Sequence, residues 1–158
     1  MKILYLCPWP LYADKYKSTE DAGTTFGYYT MVKDGVDISC YTPSRKSKIK
    51  LWLWNKKPHL FGAVFTQLGC LRLTRNYDVI YIGFDMHLLP LTIAKCLGLC
   101  RKPIFVLSHF TYNSNYIESR WKRLFIKAER YMVFRYIDRI SFASEQLKNI
   151  AFEGGVLR

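Results

Sequence analysis

Between Ile38 and Tyr77 the chain has no aspartate and no glutamate, yet it carries eight lysines and arginines. That excludes a charge-balanced surface there and gathers much of the net charge of +12 into one stretch. Long hydrophobic runs are also missing. The longest, Val79 to Cys100, is broken by Asp85, His87, Pro90 and Lys95, which argues against a membrane-spanning helix. The opening MKILYLC has neither the apolar core nor the small-residue cleavage site of a secretory signal. No GxxxxGK loop, no GxGxxG after the first strand and no GxSxG elbow occurs, so no local fingerprint points to nucleotide binding or hydrolysis. The five cysteines form an odd set without a CxxC pair. Cys96 and Cys100 are four apart, at the spacing of one helix face, but two thiols make a poor metal site. They read as reduced core cysteines in a cytosolic protein, with no metal and no cofactor.

What is present fits one domain over 1–158. Half of the 158 residues are hydrophobic, enough to bury a proper core. The acid-free stretch contains RKSKIKLWLWNKK, Arg45 to Lys57, in which Arg45, Lys46, Lys48, Lys50, Lys56 and Lys57 surround Trp52 and Trp54. Lysines that meet headgroup charge beside indoles that sit at an interface suit an anionic membrane surface. The same composition also serves phosphate neutralisation and base stacking, or a solvated loop beside a half-buried aromatic pair. The membrane surface is preferred, and nucleic acid ranks last.

Along the chain, strand-like and helix-like segments alternate. Strands are predicted at Lys2–Cys7, Val36–Thr42, Asp78–Phe84, Pro103–Ser108 and Ile137–Ala143. A loop is predicted over Asp14–Thr25 and a short helix over Thr25–Lys33. His59–Arg75 reads as a helix with Leu60, Val64, Leu68 and Leu71 along one face, and His87–Leu99 as another, with Pro90 in its first turn. Ile117, Trp121, Leu124, Phe125, Ala128 and Met132 recur at helical spacing, with Arg120, Arg123, Lys127 and Arg130 off that stripe. Ser144 is placed to cap a final helix. The alternation implies an α/β fold with an open, mostly parallel, doubly wound (Rossmann-like) sheet.

Such sheets bind ligands beyond the carboxyl ends of their strands. Asp85 and His109 fall on that side, after strands joined by a single helix. A carboxylate beside an imidazole fixes its tautomer and raises its basicity, as a general base requires. The plainer alternative is that each only satisfies backbone groups at a strand end. His87, two residues after Asp85, is placed either to contact ligand or simply to open its helix.

Three stretches taken together, MKILYLCPW, YDVIYIGFDMHLLPLTIAKCLGLCRKPIFVLSH and AERYMVFRYIDRISFAS, resemble the amino-terminal domain of family-4-like glycosyltransferases of the GT-B type. The shared pattern is a first strand and loop, an Asp-led strand with a polar turn, a strand ending in His, and a Glu-bearing helix before another Asp-led strand. No single motif is specific; the resemblance covers most of the chain and lies in order and spacing. It implies that His109 acts near the acceptor and the reaction centre, and that Asp85 or His87 belongs to the active-site turn. It implies too that Gly23 approaches the donor phosphates, although DAGTTFGYYTMVKDG is shorter than the family's usual glycine loop and helix.

The chain ends at FEGGVLR, about where a second, donor-binding domain would begin. Glu145 and Glu153 match the spacing of an acidic pair that the family carries in that second domain, here by coincidence. The expectation is therefore the acceptor-side half of an enzyme that moves sugar from a nucleotide sugar to a lipid-linked or saccharide acceptor. It would be completed by a second domain or subunit, bind nucleotide sugar weakly alone, and sit peripherally on the cytoplasmic face of the membrane. The alternatives are a non-catalytic membrane-recruiting or binding subunit and, ranked below it, a nucleic-acid-binding α/β domain.

Overall fold

A computed structural model describes residues 1–6, 27–41, 58–83, 87–108 and 119–153, together with 48, 52, 53 and 56. Five strands, β1 (Ile3–Leu6), β2 (Ile38–Tyr41), β3 (Val79–Ile82), β4 (Ile104–Ser108) and β5 (Arg139–Phe142), form one sheet in the order β2-β1-β3-β4-β5. Every pairing is parallel. The helices are α1 (Tyr28–Lys33), α2 (Pro58–Cys70), α3 (Leu89–Cys96), α4 (Arg120–Tyr136) and α5 (Glu145–Glu153), with a 3-10 turn at Thr74–Asn76. The α/β reading is borne out, and the sheet is wholly parallel.

The two faces differ. Leu4, Leu6, Ile80, Ile82, Ile104 and Val106 pack against Ala63 and Cys70 of α2, Leu91 of α3 and Val133 of α4. The other face centres on Tyr5, buried with Ile3 and Ile38 against Tyr28 and Met31 of α1. Tyr5 lies 5.1 Å, centroid to centroid, from Tyr28 and 5.7 Å from Tyr81. Gly83 follows β3 because the Tyr5 ring occupies the space a side chain would need: a Cβ there would run into the Tyr5 hydroxyl.

Aspartates just ahead of two strands each serve the neighbouring strand. Asp78, before β3, accepts the Lys2 backbone N–H at 2.7 Å, and Asp138, before β5, accepts that of Ile104 at 2.7 Å and also binds Lys95. Ser144 caps α5 as predicted, its Oγ accepting the Leu147 N–H at 3.1 Å.

Two expectations are corrected, for α2 and for Cys96 and Cys100. The helix predicted to run to Arg75 stops at Cys70, and its buried side is Ala63, Thr66, Gln67 and Cys70, with Leu68 half exposed to solvent. Cys96 and Cys100 do not share a helix face. Gly98, at φ 71°, ends α3 with the Leu99 N–H bonded back to Ala94, so Cys96 is exposed while Cys100 turns into the core. The apolar stripe of α4 faces solvent; the side against the sheet carries Ile126, Glu129, Arg130 and Val133.

Candidate functional site

The sheet order places β1 between β2 and β3, so successive connections leave β1 in opposite directions. The carboxyl ends of β1 and β3 thus flank a topological switch point, the usual ligand crevice of this architecture. His87 comes four residues beyond Gly83, just before α3.

Two buried polar side chains from different helices meet at the start of α3. Glu129 of α4, 1% exposed, accepts the Leu88 backbone N–H at 2.7 Å through Oε1, and its Oε2 lies 3.1 Å from His87 Nδ1. Gln67 of α2, fully buried, accepts the Leu91 N–H at 3.0 Å and donates to the His87 carbonyl at 2.6 Å. The first N–H groups of a helix have no partner within it, and Leu88 supplies no side-chain cap. Gln67 and Glu129 do that work from other helices, and a carboxylate at a helix amino terminus is favoured by the dipole. This explains why a buried acid stands in a helix otherwise rich in lysine and arginine.

The same carboxylate sets the chemistry of His87. With Nδ1–H donated to Glu129, a neutral imidazole keeps its lone pair on Nε2, ready to accept a hydrogen bond or a proton. The Glu129 hydrogen bond raises the pKa of His87 above its ordinary value, partial burial opposes this, and the carboxylate charge adds to it. The Phe125 ring meets the imidazole edge-on at 5.8 Å, and the side chain of His87 stays 39% exposed. It is therefore fixed in orientation and open to solvent. The buried thiol of Cys70, by contrast, is pushed up to about 12 by desolvation and stays protonated.

Of the residues singled out from sequence, His87 is in this cluster. His109, Asp85 and Gly23 lie outside the described residues, as do Arg45, Lys46, Lys50, Trp54 and Lys57. In the basic segment Lys48 and Lys56 are exposed, Trp52 is 56% exposed, and Lys56 Nζ stands 4.2 Å from the centre of the Trp52 ring. Sequence reasoning missed Gln67 and Glu129 as site residues. The available signal was a lone acid at the Ile126–Val133 spacing within a basic helix.

A separate cavity of about 540 Å³, lined by Thr74, Arg75, Gly98, Leu99, Arg101 and Lys102, opens at the opposite, amino-terminal edge of the sheet, away from His87. Among the described residues no helix is long and apolar enough to cross a membrane. Compared with known proteins, the chain matches no family model, no curated protein and no solved structure.

Proposed function

We propose that the chain is the acceptor-side half of a GT-B glycosyltransferase, working at the cytoplasmic face of a membrane on a lipid-linked or saccharide acceptor. The observation that carries this reading is the Glu129–His87 pair at the carboxyl edge of a wholly parallel sheet. Glycosyl transfer needs an acceptor hydroxyl held in line and a developing phosphate charge stabilised on the donor side. His87, its tautomer fixed by Glu129, offers Nε2 to an acceptor hydroxyl. His109, and Asp85, which follows β3 in the sequence, take the catalytic roles that the family resemblance gives them, and Gly23 approaches the donor phosphates. The donor nucleotide is bound mainly by a second α/β domain, from further chain or from a partner subunit. Exposed Trp52, with Lys56 over its ring, supports contact with an anionic lipid surface. That same pair favours the second reading, a non-catalytic subunit that recruits a donor-binding partner to the membrane.

The test combines calorimetry with a transfer assay. The chain alone should bind no nucleotide sugar in the micromolar range. Joined by an α/β domain encoded directly downstream or in an adjacent gene, it should transfer labelled sugar to a lipid or saccharide acceptor. Micromolar binding by the chain alone would reject the assignment of the donor site to a second domain. Transfer that proceeds equally without this chain would leave the recruiting reading.

A further inference from the structure

The outward side of α4 is apolar where an ordinary surface helix is polar. Trp121, Leu124, Phe125, Ala128, Tyr131 and Met132 recur in an i, i+3, i+4 pattern, the spacing of a single helix face. That face is turned away from the sheet: Trp121 is 81% exposed, Leu124 60% and Tyr131 66%, while Ile126 and Val133 are buried against the core. Arg120, Lys122, Arg123, Lys127 and Arg135 are all exposed along the same helix, and its sole acid, Glu129, is buried. A contiguous apolar face of this kind on a soluble surface marks a binding site.

We propose that α4 is a lipid-docking helix, lying in the plane of an anionic bilayer with Trp121, Leu124 and Tyr131 in the interfacial region. The charge pattern chooses the occupant. Five exposed cations and no exposed acid complement anionic headgroups. Nucleic acid would put cations and stacking rings against bases, whereas aliphatic Leu124 sits near the centre of this face. The helix has 17 residues, about 25 Å in length, so the stripe suits lying on a bilayer rather than crossing it. The proposal stands apart from the glycosyl-transfer reading and concerns a surface other than Arg45–Lys57.

The experiment uses the full chain and vesicles of phosphatidylcholine with or without phosphatidylglycerol. In a variant with Trp9, Trp52 and Trp54 changed to Phe, emission from Trp121 should shift to the blue with anionic vesicles and be quenched by brominated lipid. In the otherwise unaltered chain, Leu124→Glu should weaken co-sedimentation with anionic vesicles by at least about tenfold, the loss expected for keeping one Leu side chain out of an apolar phase. Its circular dichroism should not change. Lys48→Glu with Trp52→Ala tests the Arg45–Lys57 segment separately, without touching α4. The proposal is overturned if Leu124→Glu binds vesicles as the parent does, or if Trp121 emission stays unmoved while the protein sediments with lipid. It is also overturned if single-stranded DNA binds more tightly than the vesicles, or if the parent ignores vesicles and Leu124→Glu merely dissociates a dimer.

Discussion

Glu129 holds His87 with one carboxylate oxygen, at 3.1 Å from Nδ1, and with the other accepts the backbone N–H that opens the next helix. One buried group therefore positions the candidate ligand-binding imidazole and completes the start of α3. Orienting the imidazole and completing the helix start thus fall to one residue, and substitutions separate the two roles by degree. Glu129→Ala leaves the buried Leu88 N–H without its acceptor and should cost about 3 kcal/mol. Glu129→Gln keeps an acceptor oxygen and should cost about 1 kcal/mol, while returning the His87 titration toward its ordinary range. Denaturant melts and proton NMR titrations of the two variants check this.

The raised pKa of His87 fixes the sign of a pH effect. A histidine bound more tightly in its protonated form by the folded protein contributes stability that is fully present below its unfolded pKa of about 6.5. That contribution fades as pH rises through the higher folded value. The stability difference between the parent and His87→Ala should therefore be larger at pH 5.5 than at pH 8.5. Chemical melts at the two pH values give the answer, and a difference that grows toward alkaline pH would place His87 in the opposite electrostatic setting.

Gly83 and Tyr5 should couple. Gly83→Ala drives a methyl group into the buried tyrosine and is expected to destabilise by about 1–3 kcal/mol. Added to Tyr5→Phe, which removes the nearest of the atoms the methyl group meets but keeps the ring carbons at 2.7 and 2.8 Å, the same change should cost somewhat less than it does in the parent. A double-mutant cycle measures the coupling, and simple additivity would mean that the sheet shifts to absorb the methyl group.

Much of the frame was legible from residues that act locally. The apolar runs at Ile80 and Ile104 announced strands, although β4 buries only alternate residues fully, and Ser144 announced a helix start. The aspartates at 78 and 138 marked strand beginnings, though their acceptor role toward neighbouring strands was not readable from spacing. Periodicity located the stripe on α4 but not the side that meets the sheet, because the same spacing serves a core face and a docking face equally. The Gln67–His87–Glu129 cluster was hidden for another reason. It joins three separate elements by tertiary contacts, and no local pattern records which helix ends need a partner.

His109 belongs to the same carboxyl edge by sequence, directly after β4. His109→Ala should leave stability within about 0.5 kcal/mol of the parent, as for sites outside the core. In the completed enzyme it should lower transfer on the order of 10²–10⁴-fold if it is the general base. If it only steadies the acceptor or the leaving group, the loss should be smaller and partly an effect on KM. Melts and kinetics on one variant separate these cases, and a loss of several kcal/mol in stability would make His109 a core residue.

The central claim is that the carboxyl edge of the sheet, where Glu129 fixes His87, receives the sugar acceptor. Its most direct test is steady-state transfer by the completed two-domain enzyme carrying His87→Ala, with acceptor and nucleotide sugar varied independently. The acceptor KM should rise by about tenfold or more, the worth of one lost hydrogen bond to a positioned group, while the KM for the nucleotide sugar stays unchanged. Unchanged kinetics toward the acceptor, or a rise confined to the nucleotide sugar, would contradict the assignment.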